Sequence, residues 1–293
     1  MRGVIASFVV GVAALTLAAG CGGGGSDQAP TEGVFAYDHS ADLGAQDNGH
    51  VTSGGLVVRD LSFATPSGQV SAFLVTPKNA EHLPAVIYVH GAGGDRTTML
   101  GPAVGLAAHG AAALLITAPS SVTARHGKGA VARLHDYRDT VVADVVAVRR
   151  AIDLLAQRPE VDASRIGYVG WSAGARTGAI VAGVESRLHG IVLMSAGSSN
   201  VDTYVQQAPA SLRGELRRTL DEIDPLRWIA KADAASLLLQ AGRRDRVVPR
   251  PALDAMITAA PKGTALRWYD AGHELNDQAY AEHLQWLQAR LGF

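Results

Sequence analysis

The sequence predicts an α/β protein with a mainly parallel, eight-stranded sheet and helices on both faces. Two observations predict it. From about residue 51 onward, short β-rich runs alternate with helix-periodic runs, an order that implies right-handed crossovers and parallel neighbours. One run, Ala85–Val89, is apolar throughout, as expected of a central strand covered on both faces. At 293 residues, 47% hydrophobic and 18% charged, the chain can bury a full core, and one domain fits the alternation better than two.

The N-terminus reads as an export signal. Met1-Arg2 is a minimal basic start, Gly3 to Ala19 is nearly all apolar, and Leu17-Ala18-Ala19-Gly20 precede the sole cysteine, Cys21. The apolar run is short for a membrane span, which needs roughly 20 residues. It resembles a bacterial lipoprotein signal. That resemblance implies removal of residues 1–20, lipidation of Cys21, and an exported protein anchored to the membrane of the cell envelope. An ordinary cleaved signal or an uncleaved anchor are the alternatives. A single cysteine allows no internal disulfide, so packing alone must hold the domain. Residues 21–50, glycine-rich and without periodicity, read as a lipidated cysteine and flexible tether. The folded part is then expected over 51–293.

Leu56–Phe63 and Val70–Thr76 read as an antiparallel pair joined by Pro66-Ser67-Gly68. After the strand 85–89 come a helix near 101–109 and a strand Ala111–Thr117. Residues 118–135 read as a long basic loop. The clearest helix is 137–157, with Val141, Val145, Val148, Ile152 and Leu155 on one face and Pro159 beyond its end. A strand ending at Trp171, a helix to about 183 and a strand Gly190–Ser195 follow. The stretch 197–232, with a helical piece at Leu212–Ile223, reads as a short lid. The alternation closes with a strand Ser236–Gln240, a helix 251–260, a strand Leu266–Tyr269 and a helix 278–291.

A formal net charge of −1 gives no reason to expect a nucleic-acid partner. No Walker-type loop, repeat or Cys/His ligand spacing appears, so neither a metal nor an organic cofactor is implied. What does carry chemistry is Gly170-Trp171-Ser172-Ala173-Gly174. G-x-S-x-G describes a tight strand-to-helix turn that exposes one serine, its glycines a steric need. A serine hydroxyl requires a base and a group to orient that base. His273, in Asp270-Ala271-Gly272-His273-Glu274, and Asp245, in Gly242-Arg243-Arg244-Asp245, each follow a predicted strand. In a parallel sheet these loops leave the same edge as Ser172. Asp270, three residues from the histidine, competes with Asp245 for the orienting role. Oxyanion donors are expected from the N–H groups of Ala173 and, in His90-Gly91-Ala92-Gly93-Gly94, of Ala92. His90 itself reads as structural.

Ser, Asp and His in this chain order resemble the α/β-hydrolase superfamily over nearly all of 51–293. The loop at 90–94, RIGYVGWSAG at 165–174, GRRDRVVP at 242–249 and AGHE at 271–274 are most similar to dienelactone hydrolases and prolyl-oligopeptidase-like serine hydrolases. The resemblance implies Ser172, Asp245 and His273 as triad, with Ala92 and Ala173 as oxyanion donors. Dienelactone hydrolases have Cys where this chain has Ser172, and full prolyl oligopeptidases carry a propeller that the residues before the first strand cannot supply. Arg176 is larger than the residue often found there; an ion pair with Asp95 is the expected use.

The expected activity is hydrolysis of a small carboxylic ester through an acyl-enzyme. A serine peptidase with the same triad is the alternative. A haloalkane or epoxide enzyme would have aspartate at 172, and a dead binding module would lack a triad member.

Overall fold

The computed structural model describes residues 33–123, 129–199 and 201–293. The expected signal, Cys21 and the glycine run lie outside them. Nine strands form one sheet: β1 (Gln46–Ser53), β2 (Leu56–Thr65), β3 (Gly68–Pro77), β4 (Leu83–Val89), β5 (Ala112–Ile116), β6 (Val161–Trp171), β7 (Leu188–Met194), β8 (Leu237–Gly242) and β9 (Ala265–Tyr269). Their spatial order is β1-β2-β3-β5-β4-β6-β7-β8-β9. The pairs from β1 to β3, and β3 with β5, are antiparallel, and every other pair is parallel.

Eight helices complete the described fold: α1 (Leu100–Ala108), α2 (Ala130–Ala156), α3 (Ala173–Val184), α4 (Val201–Gln207), α5 (Arg213–Glu222), α6 (Pro225–Ile229), α7 (Arg250–Ala259) and α8 (Asp277–Leu291). The apolar run of β4 divides as a doubly covered strand must. Ala85, Ile87 and Val89 join the core beneath α2 and α3, whereas Val86 and Tyr88 join the core beneath α1 and α8.

The fold begins earlier than expected. Residues 33–50 are not a tether: Phe35 is fully buried with its ring 5.3 Å from that of Trp228, and Leu43 is buried as well. Arg149 and Arg150 of α2 donate to the carbonyls of Phe35, Ala41 and Asp42 at 2.9–3.0 Å. This strap leads into β1, a ninth strand exposed along its whole length. The expected loop 118–135 is also shorter, because α2 starts at residue 130; Arg133 lies on that helix, and 124–128 fall outside the described residues.

The register positions the site. Val89 pairs with Gly170, Trp171 with Met194, Met194 with Gln240, and Gly242 with Tyr269. The strands β4, β6, β7, β8 and β9 therefore end nearly in one row. The segments starting at 90, 172, 195, 243 and 270 leave the sheet together. The insertion α4–α6 packs on the start of α2 through Val201, Val205, Leu216 and Leu220 against Leu134 and Tyr137.

Candidate active site

Ser172 stands between β6 and α3 with φ 56° and ψ −109°, a conformation a non-glycine residue holds only under constraint. The neighbours supply that constraint. Ser172 N–H donates to the Met194 carbonyl at 2.9 Å, and Gly174 N–H to the His90 carbonyl at 3.1 Å. A Cβ on Gly170 would lie 2.5 Å from the Gly174 carbonyl oxygen, and one on Gly174 would collide with the Val89 carbonyl. Both glycines of the pentapeptide are thus steric requirements.

The three expected side chains meet. His273 Nε2 lies 2.9 Å from Ser172 Oγ, and His273 Nδ1 lies 2.8 Å from Asp245 Oδ2. Asp245 accepts from the N–H groups of Val247 and Val248 on its other oxygen at 2.8 and 2.9 Å. With its side chain only 1% exposed, the carboxylate is held to one orientation. The contact with Asp245 puts the imidazole proton on Nδ1, which leaves the Nε2 lone pair facing the serine hydroxyl. The two loops are joined by backbone bonds, Arg243 N–H to Tyr269 O and Arg244 N–H to Ala271 O at 2.8 and 2.9 Å. A side chain at 242 would strike the Ala271 and Gly272 carbonyls. Asp270 takes no part: it is exposed and paired with Arg244 at 3.0 Å.

Ala92 and Ala173 line the same cavity beside Ser172. Ala173 is the first residue of α3, so the helix offers its N–H no acceptor. Across from it, Gly94 N–H to Gly91 O at 3.1 Å closes a turn with Ala92 and Gly93 at its centre. Gly93 has φ 75°, and a Cβ on Gly91 would lie 2.9 Å from the Trp171 ring. Buried His90 fixes this turn to the end of β5: its Nε2 accepts the Ala118 N–H at 3.0 Å and its Nδ1 donates to the Gly91 carbonyl at 2.7 Å. Burial pushes its pKa down, consistent with a neutral ring carrying one donor and one acceptor.

Two further residues hold the histidine. The His273 carbonyl accepts from Trp171 Nε1 at 3.0 Å and from the buried Ser195 Oγ at 2.8 Å. The Trp171 and His273 rings lie 5.4 Å apart. Trp171 was in view inside the pentapeptide; Ser195, with φ 53° at the end of β7, carries no signal of its own.

The cavity beside Ser172 measures about 160 Å³, and Ser199, just before the insertion, lines it together with Ile223 and Pro225 of the insertion. A separate groove of about 520 Å³ lies past Trp171, walled by Met99, Pro102, Glu274 and Tyr280. A hollow of about 470 Å³ between Glu185, Lys231 and Arg290 has no triad residue on its wall. Among the described residues no cluster of His, Cys, Asp and Glu is placed to hold a metal.

The fold and this sheet edge belong to a serine hydrolase of the α/β class. The family follows from the sequence itself: the chain belongs to the prolyl oligopeptidase family, matching it over residues 131–293, more than half its length. Among solved structures it is similar to the acetyl xylan esterase of a Paenibacillus species, with TM-score 0.70 and 21% identity over 86% of this chain and 90% of that one. Acetyl xylan esterase 1 of a Thermoanaerobacterium species gives TM-score 0.74 and 19% identity over 87% and 90%. A protein described as a dienelactone hydrolase, from Klebsiella pneumoniae, gives 0.58 and 16% over 81% and 98%. At these identities the structures speak for the fold. No curated protein matches the chain.

Proposed function

We propose that the chain hydrolyses carboxylic esters through an acyl-enzyme formed on Ser172. The observation that carries this reading is the unbroken Ser172–His273–Asp245 hydrogen-bond chain at 2.9 and 2.8 Å. In this mechanism His273 Nε2 takes the hydroxyl proton as Ser172 Oγ bonds to the ester carbonyl carbon. The N–H groups of Ala92 and Ala173 hold the oxyanion. As the tetrahedral intermediate collapses, the C–O bond breaks and His273 returns the proton to the departing alcohol. Water, deprotonated by the same imidazole, then frees the acid. Asp245 keeps the ring in one tautomer and balances its charge when protonated.

The peptidase reading draws on the match to the prolyl oligopeptidase family, and a Ser-His-Asp triad attacks ester and amide carbonyls by the same steps. The small cavity, lined in part by the insertion, fits a short acyl group better than a peptide chain. A panel of short-chain p-nitrophenyl esters and prolyl p-nitroanilides separates the two. We expect kcat/KM for esters to exceed that for amides by at least about a hundredfold; equal or faster amide turnover contradicts the proposal. Membrane attachment through Cys21 is proposed from the sequence alone. Its test is incorporation of labelled palmitate, with loss of both label and membrane association in Cys21→Ser.

A further inference from the structure

Arg176 has no partner that the fold explains. It sits in the first turn of α3, where the helix dipole opposes a cation. Its backbone N–H bonds to the Ser172 carbonyl at 3.1 Å, but its guanidinium makes no ion pair or hydrogen bond with any described residue. The expected pair with Asp95 does not form, because Asp95 turns back on its own loop and accepts from the N–H and hydroxyl of Thr97 at 2.8 and 2.6 Å. Other arginines of similar exposure are engaged: Arg96 grips Asp60 at 2.7 and 2.8 Å, and Arg138 grips Glu222 at 2.7 Å. Arg176 instead lines the cavity that Ala92 and Ala173 open into.

That cavity lies on a definite side of the serine. The leaving alcohol must face His273, which protonates it, so the acyl substituent points away from the imidazole. The cavity contains both oxyanion alanines on its wall and not His273, as an acyl pocket requires. Its volume of about 160 Å³ is well below the roughly 300–1,000 Å³ of a drug-sized site, so the acyl group is short. Asp144, the one acidic residue on the wall, already accepts the Ser120 N–H at 2.8 Å. The planar fork of unspent donors belongs to Arg176 and matches a carboxylate in two-point contact.

Resting on the esterase reading above, we infer that the preferred substrate is a monoester of a short dicarboxylic acid, its free carboxylate held by Arg176. Hydrolysis then consumes one water and gives the alcohol and the dicarboxylate. Ser172 and His273 perform the bond changes, and Arg176 sets which acyl group arrives.

The experiment compares monoethyl succinate with ethyl 4-methylpentanoate, in which an isopropyl group replaces the carboxylate. Both are followed by acid release at constant pH 7.5 with the wild type, Arg176→Met and Arg176→Lys. A charge-assisted pair lost on truncation changes affinity by roughly tenfold to a hundredfold. The wild type is therefore expected to favour the succinate ester by at least about tenfold in kcat/KM. Arg176→Met should bring that ratio near one, and Arg176→Lys should restore part of it. The ratio is the readout, since a purely structural role lowers both rates together and leaves it unchanged. An unchanged ratio in Arg176→Met, or a wild type that favours the neutral ester, overturns the inference and leaves the esterase reading standing. Turnover of neither ester by a preparation that hydrolyses short p-nitrophenyl esters overturns the inference alone, and failure on the p-nitrophenyl esters as well overturns both.

Discussion

Each end of α3 has an arginine beside it, and the two are treated oppositely. At its C-terminal end buried Glu185 accepts from the part-exposed Arg187 at 2.7 and 2.8 Å and from buried Arg149 at 3.3 Å. Arg187 also reaches Asp153 at 2.7 Å, and Asp153 accepts the Tyr37 hydroxyl at 2.8 Å. Burial alone would raise the Glu185 pKa, but the hydrogen bonds and charges of Arg187 and Arg149 carry it below the usual carboxylate range. At the N-terminal end Ser172 holds a strained backbone, Ala173 has an unspent helix N–H, and Arg176 faces a cavity without a partner. One end is saturated and the other is left open. Saturation is how buried charge serves stability; unspent donors around a strained serine leave room for a substrate.

The largest expected effect at the open end is Ser172→Ala, a loss of at least about a thousandfold in kcat with melting temperature preserved. Asp245→Asn removes the acceptor that fixes the histidine tautomer. It should cost on the order of a hundredfold to ten-thousandfold in kcat with little change in KM. The closed end breaks differently. Glu185→Gln removes the buried carboxylate that the Arg149 and Arg187 guanidinium groups share, so urea unfolding should show a loss of about 3 kcal/mol while kcat/KM of the folded protein is unchanged. A fall in activity without a fall in stability there would erase the distinction between the two ends.

Between these extremes lies a buried group with no opposite charge beside it. His283 of α8 is 3.2 Å from Gln240 Oε1, and desolvation pushes its pKa down from 6.5 to about 4. Its depressed pKa means the unfolded chain binds the proton first. The stability it contributes is complete above pH 6.5 and is lost as pH falls toward about 4. At pH 5 unfolding should cost about 2 kcal/mol less than at pH 7.5 from this group, and His283→Gln should remove that part of the pH dependence. The smallest effect belongs to Trp171→Phe, which deletes one of two donors to the His273 carbonyl. A loss of about threefold to tenfold in kcat is expected, in line with one neutral hydrogen bond.

Much of this was legible from residues alone. β4 through β9 are apolar enough to read directly, and Ser172, Asp245 and His273 each follow one of those runs. The convergence of their loops is a consequence of parallel pairing. β1 was hidden because Gln46–Ser53 alternates nothing apolar and lies exposed at the sheet edge. The strap at 33–43 was hidden for another reason: backbone carbonyls, which sequence patterns do not mark, receive the Arg149 and Arg150 guanidinium groups. Ser195 escaped for the same cause, since its contact is with the backbone oxygen of His273. Arg176 was noticed as an oddity, yet its relation to Ala92 and Ala173 is a matter of cavity walls, which only the fold supplies.

The most direct test of the open end is covalent. Folded protein treated with a fluorophosphonate probe is digested and the adduct mapped by mass spectrometry. The account predicts a single adduct on Ser172, absent in Ser172→Ala and strongly slowed in His273→Ala. Labelling at another residue, or none in a preparation that turns over esters, contradicts it.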